Sequence, residues 1–324
     1  MYSQIERMKF MNSEKSWIDT SSFFKAQVIG KLLGDGCLTK QEGRKPRFQF
    51  IHSAKDYEWN IHCFHSLKTY LPLNPPRLRK IKDVRLRKGY SLSHYTQSKT
   101  SSLVTFLRNT WYQDNKKLIP FDMLYKYFTV ESLAWWYMDD GHFKQKNGVP
   151  LKIILSTDNF SRLENKQLIK FLSSKFYLSF RLDNQNRIIL YDQYQIHYFF
   201  HLITPFTHVS MHRKMPNRFN HSFDIKAKRT TLYLPKQLEI KKPTKEINEM
   251  LVKLENLIKI YKSGLFYEKY ISKIQQLQIE PKPYQIVVSQ SNLKRLYFLN
   301  NVTGLYLSGI TELSFQENLP HPRF

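Results

Sequence analysis

The chain contains two similar nine-residue stretches that are mostly apolar and end in an acidic residue followed by glycine. They are VIGKLLGDG at 28–36 and LAWWYMDDG at 133–141. The apolar runs predict buried helices, and the glycine after each run is a common helix stop. Asp35 and Asp140 therefore fall at helix C-terminal ends, where the helix dipole disfavours an acid. This placement indicates that a cation offsets their charge.

The pattern that follows each stretch is also repeated. Period-two alternation predicts two strands, helical spacing predicts an amphipathic helix, and a further strand pair and helix come next. Each copy then reaches a lysine close to a proline, which is Lys117 in the first copy and Lys214 in the second. We interpret residues 21–120 and 121–230 as two degenerate copies of one αββαββα unit in an α+β protein.

The repeat predicts that the two acid-ending helices pair about a pseudo-twofold axis. Gly30 and Gly34 are four residues apart, so they share one helix face and would let a second helix approach closely. Glycine inside a helix costs about 1 kcal/mol relative to alanine, which indicates a packing role. Asp35 and Asp140 would then meet at the ends of the two helices.

Composition narrows the choice of partner. The 324 residues include 51 Lys and Arg against 26 Asp and Glu, a net charge of +25. Most of this excess precedes residue 235, which points to a polyanion such as nucleic acid, although lysine also serves solubility. The two cysteines are too few for a disulfide scaffold. No apolar run suits a signal peptide or membrane span, so we expect an intracellular, non-secreted protein without a membrane partner, in a bacterial or phage-host cytoplasm or an organelle matrix.

Two carboxylates at two negative helix ends repel each other strongly. Oxygen ligands without a His or Cys cluster suit Mg²⁺, an ion that also takes phosphate oxygens. Beside a basic surface, such a pair suits metal-assisted hydrolysis of phosphodiesters. Lys117 and Lys214 are candidates to polarise water or to stabilise the charged phosphate.

The predicted strands supply a candidate DNA surface, because period two would turn their polar residues outward. Arg47 and Gln49 alternate with phenylalanines, Lys152 stands between Leu151 and Ile153, and Arg85 and Arg87 flank Leu86. Outward Arg, Lys and Gln can hydrogen-bond base edges in the major groove. The candidate DNA-binding residues are Lys40, Arg44, Lys45, Arg47, Gln49, Arg85, Arg87, Lys144, Lys146, Lys152 and Arg187.

The two acid-ending stretches resemble the signature helices of the LAGLIDADG homing endonucleases. The MDDG ending, with Lys-Leu-Ile-Pro at 117–120 and Lys-Met-Pro at 214–216, is most similar to the single-chain, intron-encoded omega type. The resemblance spans residues 21–225. It implies a saddle of two antiparallel sheets over DNA, with helices behind. It also implies a monomer that cuts both strands of a long site with Mg²⁺.

The resemblance assigns the metal-binding acids to Asp35 and Asp140. Gly34 and Asp139, the residues that precede them, are included as further candidates of the metal site. Many members of the family carry a small residue where this chain has Asp139. We therefore expect Asp139 to act through its backbone carbonyl or through its charge behind the ion.

The resemblance also assigns catalytic roles outside the two helices. The basic residues of the omega type fall on Lys117 and Lys214. Gln49 falls where a strand residue near the metals is expected, with Ser156 as its counterpart in the second copy. Trp135 stands where the first helix has Gly30, which departs from the small-residue pattern.

The chain ends lie outside the repeat. Residues 1–20 form an N-terminal segment and residues 235–324 a mainly helical accessory module. Apolar residues at 247, 251, 254, 258 and 261 predict an amphipathic helix that Gly264 stops, and further helices are expected over 266–278 and beyond 287. This module either binds DNA or buttresses the rest.

Two other functions are compatible with this pattern. The first is an RNA-binding maturase that assists intron splicing, because the same basic scaffold could bind RNA. The second is a DNA-binding regulator that does not cut. A regulator needs neither acid, so the presence of both Asp35 and Asp140 favours the endonuclease.

Overall fold

Two αββαββα units follow each other along the chain, in the order that the repeat predicts. The computed structural model describes residues 14–216, 229–275 and 280–317. Residues 1–13 of the predicted N-terminal segment, 217–228 of the second unit and the end of the helix expected over 266–278 lie outside the described residues. Both unit boundaries remain sequence predictions.

The first unit and the segment after it run, in order, α1 (Ser22–Leu33), β1 (Cys37–Thr39), β2 (Arg47–Ser53), α2 (Tyr57–Leu67), β3 (Arg77–Lys82), β4 (Tyr90–Gln97), α3 (Ser102–Trp111), β5 (Tyr112–Gln113), β6 (Lys116–Lys117) and α4 (Phe121–Tyr127). The second unit runs α5 (Val130–Asp140), β7 (Gly141–Lys146), β8 (Val149–Leu155), α6 (Arg162–Phe176), β9 (Arg181–Leu182), β10 (Ile188–Leu190) and α7 (Gln193–Ile203), followed by a 3₁₀ helix (Val209–Lys214).

Each unit contains one four-stranded antiparallel sheet, and the two sheets share one topology. The strand orders are β1-β2-β4-β3 and β7-β8-β10-β9. Along β2, Phe48 and Phe50 are fully buried against the helices while Arg47 is exposed and Gln49 partly exposed on the other face. The matching orders agree with the repeat read from the sequence, and in the first sheet they leave a polar outer face.

The prediction that Arg85 and Arg87 lie on a strand is wrong. The strand is β3, whose six residues RLRKIK are all exposed, and residues 84–89 form the turn after it. Arg85 bonds to Asp83 through two side-chain contacts of 2.9 and 3.0 Å. The residues around Arg85 alternate and RLRKIK does not, so the strand is set by the pairing of β3 with β4 from Arg77 to Lys82 and not by the local pattern.

The simple alternation expected around Lys152 is also interrupted. The β7–β8 register shifts between Lys144 and Gln145, which is a β-bulge. Leu151 is consequently exposed beside Lys152, while Ile153 points inward.

Helices α1 and α5 pack directly against each other, as the glycine pattern predicts. A Cβ atom on Gly30 would lie 2.4 Å from the Ser132 carbonyl oxygen and 2.7 Å from the Trp135 Cβ atom. One on Gly34 would lie 2.5 Å from the Asp139 Cβ atom. Trp135 does not prevent this pairing, because its ring packs against Trp59 of α2, with centroids 5.1 Å apart.

We expect Gly30→Ala to lower the free energy of unfolding by about 1–3 kcal/mol, the usual cost of overpacking. In an isolated helix the same change would stabilise by about 1 kcal/mol, so the sign tests the close helix contact. Urea unfolding measures it, with Ser22→Ala on the exposed first turn of α1 as the control. A stabilised Gly30→Ala protein would contradict the contact.

The C-terminal module is mainly helical, but it also contains a strand pair that the sequence did not reveal. Its elements are β11 (Arg229–Pro235), α8 (Pro243–Val252), α9 (Leu254–Lys262), α10 (Phe266–Ile274), β12 (Pro281–Val287), α11 (Gln290–Thr303) and α12 (Leu307–Gln316). Strands β11 and β12 pair antiparallel. The single amphipathic helix expected over 247–261 is divided at Lys253 into α8 and α9.

This module packs against α7, on the helix side of the second sheet. The Tyr267 ring lies 5.1 Å from Tyr198 and 4.9 Å from His201, measured between centroids. Gln275 Nε2 donates to the Tyr177 carbonyl oxygen at 2.8 Å. These contacts favour a buttress. In the described part of the chain, no helix has both the length and the apolar character needed to cross a membrane.

Candidate active site

Asp35 and Asp140 lie at the adjacent C-terminal ends of α1 and α5. The Asp35 side chain is 35% exposed. Burial, the Asp139 charge and the Asp140 charge raise the pKa of Asp35. Burial and the Asp139 charge raise the pKa of Asp140 to about 7. Among the described residues no hydrogen bond reaches either carboxylate, so these oxygens are available to a cation.

Asp139 differs from its two neighbours because protein donors already occupy its carboxylate. Lys31 Nζ donates to both oxygens at 2.7 and 2.9 Å, and Trp59 Nε1 donates to Oδ1 at 2.8 Å. The backbone N–H of Asp35 donates to Oδ2 at 3.1 Å. The side chains of Lys31 and Asp139 are both 0% exposed. These contacts favour the predicted role of Asp139 as a charge behind the metal site over direct binding through its carboxylate.

His52 belongs to the site, although the sequence analysis did not select it. Its Nε2 atom lies 3.3 Å from Asp139 Oδ1 and 3.6 Å from Asp35 Oδ2, and ligand atoms of the three residues lie within 4.8 Å of one another. Asn60 Nδ2 lies 2.9 Å from Nδ1. Burial and the Lys31 charge lower the pKa of His52 to about 4, so the imidazole is neutral. The available signal was period two, which puts a polar His52 on the apolar inward face of β2.

The two predicted lysines bind the helix ends that carry the acids. Lys117 Nζ donates to the Gly36 carbonyl at 2.8 Å. Lys214 Nζ donates to the Met138 and Asp139 carbonyls at 2.7 and 2.8 Å. Burial lowers the pKa of both lysines, that of Lys117 to about 8. Their amines stabilise the negative helix termini and offset part of the charge of the acids.

Gln49 lies on the outer face of the first sheet, and its carbonyl oxygen is engaged. It accepts from Tyr95 Oη at 3.2 Å and from Gln97 Nε2 at 3.1 Å. The prediction of Ser156 as the counterpart of Gln49 is wrong. Gln49 pairs with Cys37, which follows Asp35 by two residues. In the second unit, the residue that follows Asp140 by two is His142, and it pairs with Ile154. A catalytic role for Gln49 remains a prediction, and its position on the outer face of the sheet also makes it a candidate for DNA contact.

The candidate DNA-binding residues form three groups: those in and next to the β1–β2 loop, lysines on β7 and β8, and two arginines that are paired with aspartates. Lys40, Arg44 and Lys45 are exposed in the loop between β1 and β2 and line a groove with Arg47 and Gln49.

In the second unit, Lys144 and Lys146 are exposed on β7 and Lys152 is partly exposed on β8. Arg187 is instead held by Asp183 at 2.7 and 3.0 Å, as Arg85 is by Asp83.

Arg77 and Arg79 share the outer face of the first sheet and were missed. They lie opposite Tyr95 and Ser93 on β4. The available signal was the two-residue spacing of Arg77 and Arg79, which places both on one face of a strand.

Comparison with known proteins agrees with this geometry. Residues 25–199 match the model of the LAGLIDADG DNA endonuclease family. A probable intron-encoded endonuclease 1 of Wickerhamomyces canadensis is 27% identical over 217 residues, covering 62% of this chain and 87% of the relative. The cytochrome b mRNA maturase bI2 of Debaryomyces hansenii is 29% identical over 174 residues, covering 52% of this chain and 63% of the relative.

A solved structure is similar over much of the chain. The homing endonuclease I-WcaI bound to its DNA recognition sequence matches with a TM-score of 0.53 and 26% identity, covering 68% of this chain and 94% of that one. The match of sequence and fold confirms the resemblance inferred from the repeated stretches. This chain therefore belongs to the LAGLIDADG DNA endonuclease family.

Proposed function

We propose that this protein is a monomeric, Mg²⁺-dependent endonuclease that cuts both strands of a long, specific DNA site. The observation that carries the proposal is the pair of uncommitted carboxylates, Asp35 and Asp140, at the adjacent ends of α1 and α5. The neighbouring Asp139 carboxylate, in contrast, already accepts hydrogen bonds from four protein donor contacts, so it differs from Asp35 and Asp140 in its availability to a cation.

The residues of the site fit a divalent cation. Asp35 and Asp140 would hold Mg²⁺ through carboxylate oxygens, the donors that this ion prefers. When bound, the ion supplies Lewis acidity and lowers the pKa of bound water. Lys117 and Lys214 keep positive charge beside the acids, where the phosphate gains negative charge during hydrolysis. Their contacts with helix-end carbonyls fix these amines in place before DNA arrives.

The experiment that tests the function is incubation of the purified protein with a randomised DNA library and Mg²⁺, followed by sequencing of the cut ends. Defined double-strand breaks are expected. Enrichment of bound DNA without cutting would instead identify a regulator. If the protein neither binds nor cuts DNA, the result would favour the maturase function. The similarity to bI2 makes that function the second candidate.

We expect cleavage at limiting Mg²⁺ to rise with pH up to about 8. Only ionised carboxylates bind the ion, and the environment raises the pKa of Asp140 to about 7 and that of Asp35 to about 8, so protons compete with Mg²⁺ below these values. For each proton that the ion displaces, the apparent Mg²⁺ affinity should fall about tenfold for every unit by which the pH decreases. Single-turnover rates at several Mg²⁺ concentrations measure this effect. A pH midpoint that stays fixed as Mg²⁺ increases would contradict the competition.

A further inference from the structure

The outer face of the first sheet carries a chain of hydrogen bonds next to the acids. Arg47 Nη1 donates to Gln97 Oε1 at 3.2 Å, and Gln97 Nε2 donates to Gln49 Oε1 at 3.1 Å. Tyr95 Oη donates to the same Gln49 oxygen at 3.2 Å. These side chains line a groove of about 770 Å³, so they are arranged before any ligand binds.

The direction of this chain follows from Arg47. A guanidinium group has only N–H donors, so Gln97 must turn its carbonyl oxygen toward Arg47 and its amide N–H₂ toward Gln49. Gln49 must then present its oxygen to Gln97, and Tyr95 donates to that oxygen as well. With its oxygen occupied twice, Gln49 keeps its amide N–H₂ free, and Arg47 keeps its other guanidinium N–H groups.

An array of free donors distinguishes between purines in the major groove. Guanine presents two acceptors there, N7 and O6, whereas adenine presents one acceptor and one donor. Glutamine reads adenine with its oxygen and N–H₂ together, but the Gln49 oxygen already accepts two hydrogen bonds. The array therefore complements guanine.

The array also lies close to the reacting centre along the strand. Gln49 pairs with Cys37, which follows Asp35 by two residues, or roughly 7 Å of extended chain. Arg47 pairs with Thr39, one strand pair farther out. A base read here is among the nearest to the cut in its half of the site.

The second sheet differs at the equivalent places. The register matches Arg47 with Lys152, Gln49 with Ile154, and Gln97 with Ile189. Ile154 and Ile189 are 3% and 1% exposed, so they are covered as well as apolar.

Arg187, which immediately precedes β10 and lies on the same face as Ile189, forms an ion pair with Asp183. In the described part of the second unit, the counterparts of Gln49 and Gln97 therefore offer no side-chain donors. The exposed side chains beside them are those of His142, which pairs with Ile154, and Arg181, which pairs with Ile189.

We infer that the two halves read DNA unequally: Arg47, Gln49 and Gln97 select guanine beside the cut in one half-site, and their buried counterparts Ile154 and Ile189 make no such base contact at the related place. This inference rests on the proposed function only in requiring that the outer sheet faces lie on DNA. It makes the array a set of specificity-determining residues.

Binding selection tests this inference separately from cleavage. The full protein is incubated with a library randomised across the site, with Ca²⁺ in place of Mg²⁺, and bound DNA is sequenced. We expect guanine over adenine by about 10-fold or more at one or two positions near the centre of one half-site, within the range of about 5- to 150-fold for a good base contact. The symmetry-related positions should show a guanine preference at least about threefold weaker.

Exchange of residues between the halves identifies the cause. Gln49→Ile with Gln97→Ile should reduce the guanine preference below threefold and leave the rest of the selected sequence unchanged. Arg47→Ala, which removes the start of the chain of hydrogen bonds, should weaken the same positions. Lys82→Ala is the matched control, because it removes a positive charge from the opposite face of the same sheet and should leave the preference intact.

Three outcomes would overturn the inference. The first is equal guanine preference in both half-sites, and the second is a preference that survives in the Gln49→Ile, Gln97→Ile protein. The third is a wild-type protein that binds no DNA, which would also remove the proposed function. A protein that binds with the unequal profile but never cuts would retain this inference while the endonuclease proposal fails.

Discussion

Replacing Asp35 or Asp140 by asparagine is expected to reduce cleavage by at least about 1,000-fold while DNA affinity changes by less than about threefold. Asparagine keeps the size of the side chain but removes the negative charge that the cation needs. A preorganised charged group at a reacting centre is commonly worth a loss of 10²–10³ in rate, and here the ion itself would be lost. Cleavage assays and binding titrations in parallel measure the two effects.

Asp122→Asn is the matched control for this experiment. Asp122 is an exposed acid in the first turn of α4, so the same substitution removes a charge that is not part of the paired helix ends. It should leave both cleavage and binding unchanged. Full cleavage by both Asp35→Asn and Asp140→Asn would reject the endonuclease mechanism. Loss of DNA binding in either variant would instead indicate that the acids support the fold or the DNA surface.

Breaking the Lys31–Asp139 ion pair is expected to lower the free energy of unfolding by about 3–5 kcal/mol. The pair joins α1 to α5 with both side chains fully buried, so removal of one partner leaves an uncompensated charge in the interior. Lys31→Met and Asp139→Asn should therefore each be strongly destabilising. The double variant should lose less than the sum of the two, since neither unpaired charge remains.

Urea unfolding of the four proteins measures the coupling between the two residues. The exposed pair Lys236–Glu280, whose side chains are 59% and 69% exposed, is the control, and Lys236→Met should cost less than about 1 kcal/mol. Additive losses in the double variant would contradict the coupling. The same variants bear on catalysis, because Asp139 also accepts the Asp35 backbone N–H and so holds the first acid in position.

The repeated units were readable from the sequence because their signals are local. Apolar runs that end in acid and glycine mark α1 and α5, and alternating residues mark β2, each within about ten residues. The same locality explains the errors. The residues around Arg85 alternate better than RLRKIK at 77–82, whose Leu78 and Ile81 fall on opposite faces, yet the pairing of β3 with β4 makes 77–82 the strand. The shift at Lys144 and Gln145 is likewise a property of two strands together.

The sequence by itself determined the two acids, the two lysines and the glycine face, because each follows from a pattern along one element. Tertiary structure alone decided which carboxylates are free. Lys31, Trp59 and His52 reach Asp139 from 108, 80 and 87 residues away, so no local pattern reports that contact. It also decided that a Gln49–Gln97 pair faces outward in one half and an Ile154–Ile189 pair in the other. Hydrogen bonds and burial depend on which elements meet, and that is settled by packing and strand register.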